Sequence, residues 1–375
     1  MKINDILEIE IEDLADNGKG IAFFNDNGKK YSIFVENSVP GDFIKCKINK
    51  INKLYLEADI IEIIKESKNR IKVICKHFNE CGACDLLHIN YDEQIKAKER
   101  ILKRYLQRAN LNYNELIVIK SEKELHYRDR SKFFKINDKF GFKKKKSNDI
   151  VEIEKCFIIN EKLNEIFNKK SLKKRDDEII YGYCYKRKQI SSAKCIYYTT
   201  KEMIYRPDLF VQSNLTMNKK LVEIICNETQ GNNILDLYSG NGNFSIALSD
   251  KFKFITSIEG NEQSFNLLLQ NIKKNNITNI DAINLDINDL NNNFNKRFDT
   301  IIIDPPRTGS NNLLNLIKDK TNKIIYISCN PKISIKEIQK LKNFNLEKVY
   351  LIDMFPQTIH FESIFILNRI NNSAT

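Results

Sequence analysis

The chain has 375 residues, of which 42% are hydrophobic and 29% charged, with only 12 Gly and 6 Pro. This balance is typical of globular proteins and excludes a wholly disordered or fibrous chain, while the length predicts two or three domains. The net charge of +12 favours a polyanionic partner such as nucleic acid, although a general lysine bias contributes to the same excess.

Hydropathy and cysteine usage indicate where the protein works. No run approaches the roughly 18 apolar residues of a membrane-spanning helix. Asp5, Glu8 and Glu10 lie where a signal peptide would be apolar. We therefore expect a cytoplasmic protein that does not bind membranes, and we expect it to be a monomer. In that compartment its nine cysteines favour metal binding or catalysis over disulfides.

Residues 1–66 alternate apolar and polar side chains in short runs, and glycines separate the runs. This pattern predicts a small all-β barrel. The segment resembles a TRAM domain, an OB-like RNA-binding barrel, in three short motifs. They are Gly18-Lys19-Gly20, Phe34-Val35 and Pro40-Gly41-Asp42.

Residues 67–200 form a second predicted unit, with a helix over residues 91–108 and strands after it. Cys75, Cys81 and Cys84 have the spacing C-x5-C-x2-C, and Cys156 can supply a fourth ligand. Four thiolates suit either a 4Fe-4S cluster or a structural zinc ion, and spacing alone does not separate the two. Four unrelated free thiols are disfavoured because Cys-Gly-Ala-Cys is a tight metal-binding turn.

The same unit contains a basic segment over residues 120–146, with eleven Lys or Arg against four acids. Aromatic residues are interleaved with these charges: Tyr127, Phe133, Phe134, Phe140 and Phe142. Cations for phosphates together with rings for unstacked bases are typical of single-stranded RNA recognition. A solvated charge run over a few core aromatics is an equal alternative on the residues alone.

From residue 201 onward, apolar strands alternate with helical runs, which predicts a doubly wound, mostly parallel sheet. The strand over 233–237 leads into a turn containing Gly240 and Gly242, where the backbone can approach a ligand closely. Ser245 stands where a dinucleotide fingerprint has its third Gly, so the NAD signal is weak. Glu259, 19 positions after Gly240, ends the next strand and can accept hydrogen bonds from ribose hydroxyls.

Three further strand ends belong to the same predicted edge, where substrates bind in open α/β sheets. Asp286 follows the third strand and could hold an adenine. Asp304-Pro305-Pro306-Arg307 follows the fourth, and its prolines fix a stiff turn like the loop of S-adenosylmethionine (SAM) methyltransferases. Ser328-Cys329-Asn330-Pro331 follows the fifth, so Cys329 is a candidate nucleophile. The alternative for Cys329 is a buried small side chain.

Residues 353–362 offer two candidate bases, His360 and Glu362. A carboxylate desolvated among the neighbouring aromatic side chains would become more basic. A structural histidine and a solvated charge at the start of a strand are the corresponding alternatives.

The motifs taken together resemble the RNA uracil-5-methyltransferase family over nearly the whole chain. The matching segments are Tyr127-Arg128-Asp129-Arg130, Phe210-Val211-Gln212-Ser213-Asn214, residues 235–244, residues 304–309, residues 328–331 and residues 353–362. One departure is Ser239, where many members carry Cys. That position is not catalytic.

The resemblance implies a Rossmann-like SAM methyltransferase domain over residues 201–375, with Cys329 as nucleophile and Glu362 as base. It implies SAM contacts at six positions: Gln212, Tyr238, Asn243, Glu259, Asp286 and Asp304. It also implies that Cys75, Cys81, Cys84 and Cys156 hold an iron-sulfur cluster rather than zinc. Residues 67–200 would then be a central iron-sulfur domain between the barrel and the methyltransferase domain.

The expected reaction is SAM-dependent methylation of carbon 5 of a uridine in RNA. The barrel and the cysteine cluster together resemble the branch of the family that acts on ribosomal RNA, so we expect 23S rRNA rather than tRNA. An RNA-binding protein with an inactive methyltransferase fold is the alternative, and Cys329, Glu362 and Gln212 together disfavour it.

Overall fold

The computed structural model describes residues 1–26, 28–136, 139–165, 179–185, 188–190, 194–198, 201–206, 208–290 and 296–370. None of the described helices is both long enough and apolar enough to cross a membrane.

The N-terminal part is a six-stranded barrel in the order β1-β5-β6-β4-β3-β2. Its strands are β1 Ile6–Glu10, β2 Asp13–Leu14, β3 Gly20–Asp26, β4 Lys29–Val35, β5 Phe43–Ile51 and β6 Leu56–Lys65. Because β1 and β2 are consecutive in the chain yet lie at opposite ends of this order, the sheet closes on itself. Alternate residues of β5, such as Ile44 and Ile48, point into the barrel core. The predicted barrel is confirmed.

The middle part begins with helix α1 Tyr91–Arg108, which has the predicted bounds. The side chain of Asn90 caps it by accepting a hydrogen bond from the backbone N–H of Glu93. The following elements are β7 Tyr113–Ile119, β8 Arg130–Ile136, β9 Lys139–Lys143, β10 Ile150–Glu152, α2 Glu161–Asn164, β11 Ile179–Tyr185, β12 Lys188–Ile190, β13 Lys194–Tyr198 and β14 Lys201–Tyr205. Five of them form a sheet in the order β10-β9-β8-β11-β12, and β13 pairs with β14.

The C-terminal part is built on a large sheet with helices around it. Its helices are α3 Leu215–Glu228, α4 Ser245–Leu248, α5 Glu262–Lys274, α6 Leu313–Ile317 and α7 Pro331–Ile338. Its strands are β15 Asn233–Leu237, β16 Phe254–Glu259, β17 Ile280–Asn284, β18 Phe298–Ile303, β19 Thr321–Ser328, β20 Phe344–Ile352 and β21 Glu362–Arg369. Two short 3-10 helices cover Ile287–Asp289 and Lys318–Lys320.

The large sheet has eight strands in the order β17-β16-β15-β18-β19-β21-β20-β7. The pairs from β17 to β19 are parallel, and β21 runs antiparallel to both of its neighbours. On β18, Ile301 and Ile303 pack into the core on one face and Ile302 into the core on the other, which is why the strand reads as a continuous apolar run. The predicted doubly wound sheet is confirmed. It also recruits β7 from the middle part, which pairs in parallel with β20.

Helix α1 joins the middle part to the segment that precedes β21. The ammonium group of Lys98 lies 2.7 Å from the Asp353 carboxylate, and both side chains are fully buried. The Tyr91 hydroxyl donates to the other oxygen of Asp353 at 2.8 Å. The Gln94 amide exchanges hydrogen bonds with the amide and backbone N–H of Gln357. This buried network holds the chain that leads to Glu362.

Candidate active site

The candidate nucleophile and base lie side by side at one edge of the large sheet. Cys329 directly follows β19, and Glu362 is the first residue of β21. The antiparallel register pairs Ser328 with Ser363, which places Cys329 next to Glu362. The structure therefore brings together the two side chains that the sequence predicted as catalytic.

Glu362 occupies an environment that disfavours its charged form. Its side chain is buried, and one carboxylate oxygen has no hydrogen-bond partner among the described residues. Burial and the nearby Asp304 carboxylate raise the pKa of Glu362 well above its usual value, while Arg307 opposes the rise. A carboxylate with a raised pKa is a stronger base once it has lost its proton, which suits proton abstraction.

The thiol of Cys329 is half-buried, and both the Glu362 carboxyl group and the Arg307 guanidinium act on it. Burial and the charge of Glu362 raise the pKa of Cys329 to about 11, while the Arg307 guanidinium lowers it by its charge and a hydrogen bond. Arg307 therefore favours the thiolate, the form that attacks. The sequence reasoning assigned no role to Arg307. Its position in the loop that follows β18, on the same sheet edge as Cys329, was the signal that could have identified it.

A cavity of about 200 Å³ opens in front of the thiol. Its lining includes Cys329, Arg307, His360, Phe361 and Tyr105. His360 is exposed at this cavity, whereas Glu362 is buried beneath it. Both candidate bases are therefore at the site. Burial lowers the pKa of His360 and raises the pKa of Glu362, so the environment makes only Glu362 the stronger base.

The loop after β15 has the backbone of a ligand-binding turn. Tyr238 has φ of +60°, and Gly240 and Gly242 have φ of +57° and +92°. Positive φ is strained for a tyrosine and typical of functional turns. The Glu259 carboxylate accepts hydrogen bonds from the backbone N–H groups of Gly240 at 2.8 Å and Asn261 at 2.7 Å, so it joins the ends of two strands.

The other predicted cofactor residues lie on the same edge or next to it. The side-chain amides of Asn243 and Asn218 exchange two hydrogen bonds, of 2.9 and 3.1 Å. Asp286 accepts from the backbone N–H of Asn288, at the exposed end of the 3-10 helix that follows. Burial and the buried carboxyl of Asp236 raise the pKa of Asp304 to about 7. Asn218 was missed because it lies inside α3, with no motif around it.

Gln212 follows the Phe210-Val211 pair and is buried at 8% exposure, whereas Phe210 is 74% exposed. Its neighbour Asn214 caps α3 and donates to the backbone oxygen of Met354, eight residues before Glu362. The segment containing Gln212 is therefore attached to the chain that carries the base.

The four predicted metal-binding cysteines line one small cavity in the middle part. Burial, followed by the charges of the other three thiols, raises the pKa of Cys84. Burial raises the pKa of Cys81 to about 11. The four thiols therefore share one region of space. Among the described residues, however, no three Cys, His, Asp or Glu side chains are gathered closely enough to constitute a metal site as the chain stands.

The basic segment borders a groove of about 690 Å³ between the barrel and the middle part. Its lining includes Lys19 of the barrel, Arg128, Lys132 and the run 143–146. Three of its aromatic rings are buried in the core, as the alternative of core aromatics predicts: Tyr127, Phe133 and Phe142. Phe134 instead lies beneath the ammonium groups of Lys132 and Lys143. The side chain of Phe140 lies outside the described residues.

The comparison with known proteins identifies the family. A family model described as tRNA (Uracil-5-)-methyltransferase matches residues 185–370, and a TRAM domain model matches residues 2–61. The chain belongs to the RNA uracil-5-methyltransferase family. Cys329 and Glu362 both fall within the part of the chain that the methyltransferase model matches.

Relatives from two genera match nearly the whole of this chain. The 23S rRNA (uracil(1939)-C(5))-methyltransferase RlmD of Aliivibrio fischeri strain MJ11 is 26% identical, covering 97% of this chain and 96% of that protein. The protein of the same name from Acinetobacter baylyi is 27% identical over the same shares. The Pyrococcus abyssi tRNA (uracil-54, C5)-methyltransferase, solved with S-adenosyl-L-homocysteine, superposes with a TM-score of 0.75 at 22% identity, covering 96% of this chain and all of that one. This last likeness shows that the two chains share a fold.

Proposed function

We propose that this protein methylates carbon 5 of a uridine in 23S rRNA, with SAM as methyl donor and Cys329 as nucleophile. The observation that carries the proposal is the pairing of Cys329 with the buried Glu362 at adjacent strand ends. The names of the full-length relatives support the ribosomal substrate.

The side chains can perform the reaction in a simple order. The Cys329 thiolate, favoured by Arg307, adds to carbon 6 of uracil, and the carbon 5–carbon 6 double bond becomes an enolate. SAM, when bound, supplies an electrophilic methyl group that the enolate carbon can take. Glu362 then accepts the proton on carbon 5. Elimination of the Cys329 sulfur from carbon 6 restores the double bond and frees the thiol.

We assign SAM binding to Gln212, Tyr238, Asn243, Glu259, Asp286 and Asp304. The strained turn at Tyr238 and the carboxylates at successive strand ends suit a ligand with a ribose and an adenine. SAM titration of Glu259→Gln and Asn243→Ala, measured by calorimetry, tests this: each should weaken binding, and unchanged binding would contradict the assignment.

We propose that the RNA lies along the basic groove. Lysine and arginine side chains from two parts of the molecule line it, which suits a phosphate backbone. The buried positions of Tyr127, Phe133 and Phe142 mean that phosphate contact, rather than stacking on those rings, carries the proposal.

The RNA substrate is tested by methyl transfer from labelled SAM to purified 23S rRNA and to tRNA transcripts. The product is digested to nucleosides, identified by mass spectrometry and mapped to its position. We expect 5-methyluridine in 23S rRNA. Label in tRNA alone would show that tRNA, and not 23S rRNA, is the substrate. No label with either RNA would support an inactive RNA-binding protein, and undiminished label with Cys329→Ala would contradict the role of Cys329 as nucleophile.

We also propose that Cys75, Cys81, Cys84 and Cys156 hold an iron-sulfur cluster. Their location around one cavity and their four-thiol chemistry support it, since four thiolates satisfy a cluster without an open iron site. Iron, sulfide and zinc analysis after anaerobic purification tests it. A colourless protein with one zinc ion would favour the zinc alternative. A central iron-sulfur domain over residues 67–200, and a monomeric state that sedimentation would check, stay predictions.

A further inference from the structure

Glu337, on helix α7, is held by hydrogen bonds from two other elements. Its two carboxylate oxygens accept from the backbone N–H of Ser310 at 3.0 and 3.1 Å. One of them also accepts from the Ser310 hydroxyl at 2.7 Å and from the Tyr326 hydroxyl at 2.6 Å. All of these donors are neutral, and no described Lys, Arg or His forms a salt bridge with Glu337.

The two partners of Glu337 lie on the two segments that carry Arg307 and Cys329, both of which line the catalytic cavity. Ser310 ends the loop that begins at Asp304 and contains Arg307. Tyr326 lies on β19, three residues before Cys329. The loop and the helix are also tied by the Asn330 side-chain amide, which donates to the backbone oxygen of Arg307 at 3.1 Å.

The loop is pressed closely against Glu337. Gly309 has φ of +89°, and a Cβ added there would lie 2.6 Å from a Glu337 carboxylate oxygen. A residue other than glycine would therefore push the carboxylate away or move the loop. Such close packing leaves the loop little freedom to shift while the carboxylate stays in place.

Glu337 also lies behind the cofactor turn. The pKa of Tyr238 rises to about 12 through burial and then through the charge of Glu337. One carboxylate thus influences the β18 loop, the strand before the nucleophile and the predicted SAM site.

We propose that Glu337 is a positioning residue, which holds Arg307 beside the Cys329 thiol by fastening the loop over residues 304–310 to α7. The proposal rests on the methyltransferase function only for its effect on turnover. The effect of Glu337 on the ionisation of the Cys329 thiol is measured on the protein without RNA or SAM, so it does not depend on that function. Replacing the carboxylate with an amide removes the acceptor for at least one of the neutral donors, so the loop loosens and the guanidinium leaves the thiol.

The direct test is alkylation of Cys329 by iodoacetamide as a function of pH, followed by mass spectrometry of the peptide that contains it. In Glu337→Gln the midpoint should move to higher pH by about one unit, because an opposite charge near an ionisable group is worth that much. The control Glu223→Gln, on the exposed face of α3, should leave the midpoint unchanged. Thermal unfolding shows that the variant is folded.

Repeating the measurement in the Arg307→Gln variant separates the positioning of Arg307 from a general structural role of Glu337. In Arg307→Gln, adding Glu337→Gln should cause no further shift, because the guanidinium that Glu337 positions is already gone. An unchanged midpoint in Glu337→Gln, or an equal shift in both backgrounds, would overturn the proposal. If Glu337→Gln does not fold, Ser310→Ala, which removes one hydrogen bond, is measured by the same criteria.

Turnover gives an independent readout. If the RNA is methylated as proposed, Glu337→Gln should lower turnover by about 10-fold, because a rise of one pKa unit in the thiol lowers the thiolate fraction by that factor. If the wild type methylates no RNA, the function fails and the alkylation result still decides the role of Glu337.

Discussion

Cys329 and the group formed by Cys75, Cys81, Cys84 and Cys156 have different charged neighbours. Cys329 has a cation beside it, since the Arg307 guanidinium opposes the rise in the thiol's pKa. Cys75, Cys81, Cys84 and Cys156 line one cavity, where burial, followed by the charges of the other three thiols, raises the pKa of Cys84. A single thiol with a guanidinium is suited to attack a substrate. Four thiolates around one cavity are suited to share a cation or a cluster.

Substitutions at the two sites should therefore have different consequences, one for activity and the other for stability. Loss of Cys329 removes a reacting atom and leaves the fold intact. Loss of a thiol from the group of four removes a packing contact and a proposed ligand, so it acts first on stability.

The largest expected effect belongs to Cys329→Ala. Without the sulfur, carbon 5 of uracil is never activated, and methyl transfer should fall by about 10⁴-fold or more. The unfolding temperature and SAM binding should stay close to the wild-type values. Labelled-methyl transfer and a thermal unfolding scan measure both properties, and substantial residual transfer would contradict the role of Cys329.

Cys84→Ser should produce the next largest effect, on stability rather than chemistry. Cys84 faces the other three thiols, and a serine hydroxyl there loses the proposed metal bond. We expect a loss of about 3 kcal/mol in unfolding free energy and a loss of bound metal. Cys226→Ser is the matched control, because Cys226 is half-buried and lies outside the group. Equal effects of the two substitutions would break the comparison.

Arg307→Gln should have the smallest of these effects, because it changes the thiol without removing it. With the cation gone, the pKa of Cys329 should rise above its value of about 11. At a fixed pH below 10, alkylation of Cys329 should slow about 10-fold, one pKa unit's worth. In the wild type the rate should climb with pH through the alkaline range, because only the thiolate reacts. A rate independent of pH between 8 and 10, or an unchanged rate in Arg307→Gln, would contradict the assignment.

Sequence patterns predicted the elements and most of the edge that holds the site. The strand ends at Glu259, Asp304 and Cys329 could be aligned because parallel strands bring their carboxyl ends together. Helix α1 was predicted with its bounds because a stretch rich in Lys, Arg, Glu and Leu is a local signal for a helix.

The remaining features depend on contacts between distant parts of the chain. Lys98 and Asp353 are 255 residues apart, and no local sequence pattern near either residue predicts a buried ion pair. The same holds for β7, whose place beside β20 is decided by tertiary packing. The aromatic residues of the basic segment allowed two interpretations because a core strand and a stacking surface have the same composition.

The most direct test of the account is covalent trapping with Glu362→Gln. Without its base, the enzyme should add to uracil and transfer the methyl group but fail to remove the proton from carbon 5, so Cys329 stays bonded to the RNA. On a denaturing gel, 23S rRNA fragments and SAM should therefore give a stable protein–RNA complex that carries the label from methyl-labelled SAM. Glu362→Gln combined with Cys329→Ala should give none. The absence of a complex, or its persistence in the double variant, would contradict covalent catalysis by Cys329 with Glu362 as the base.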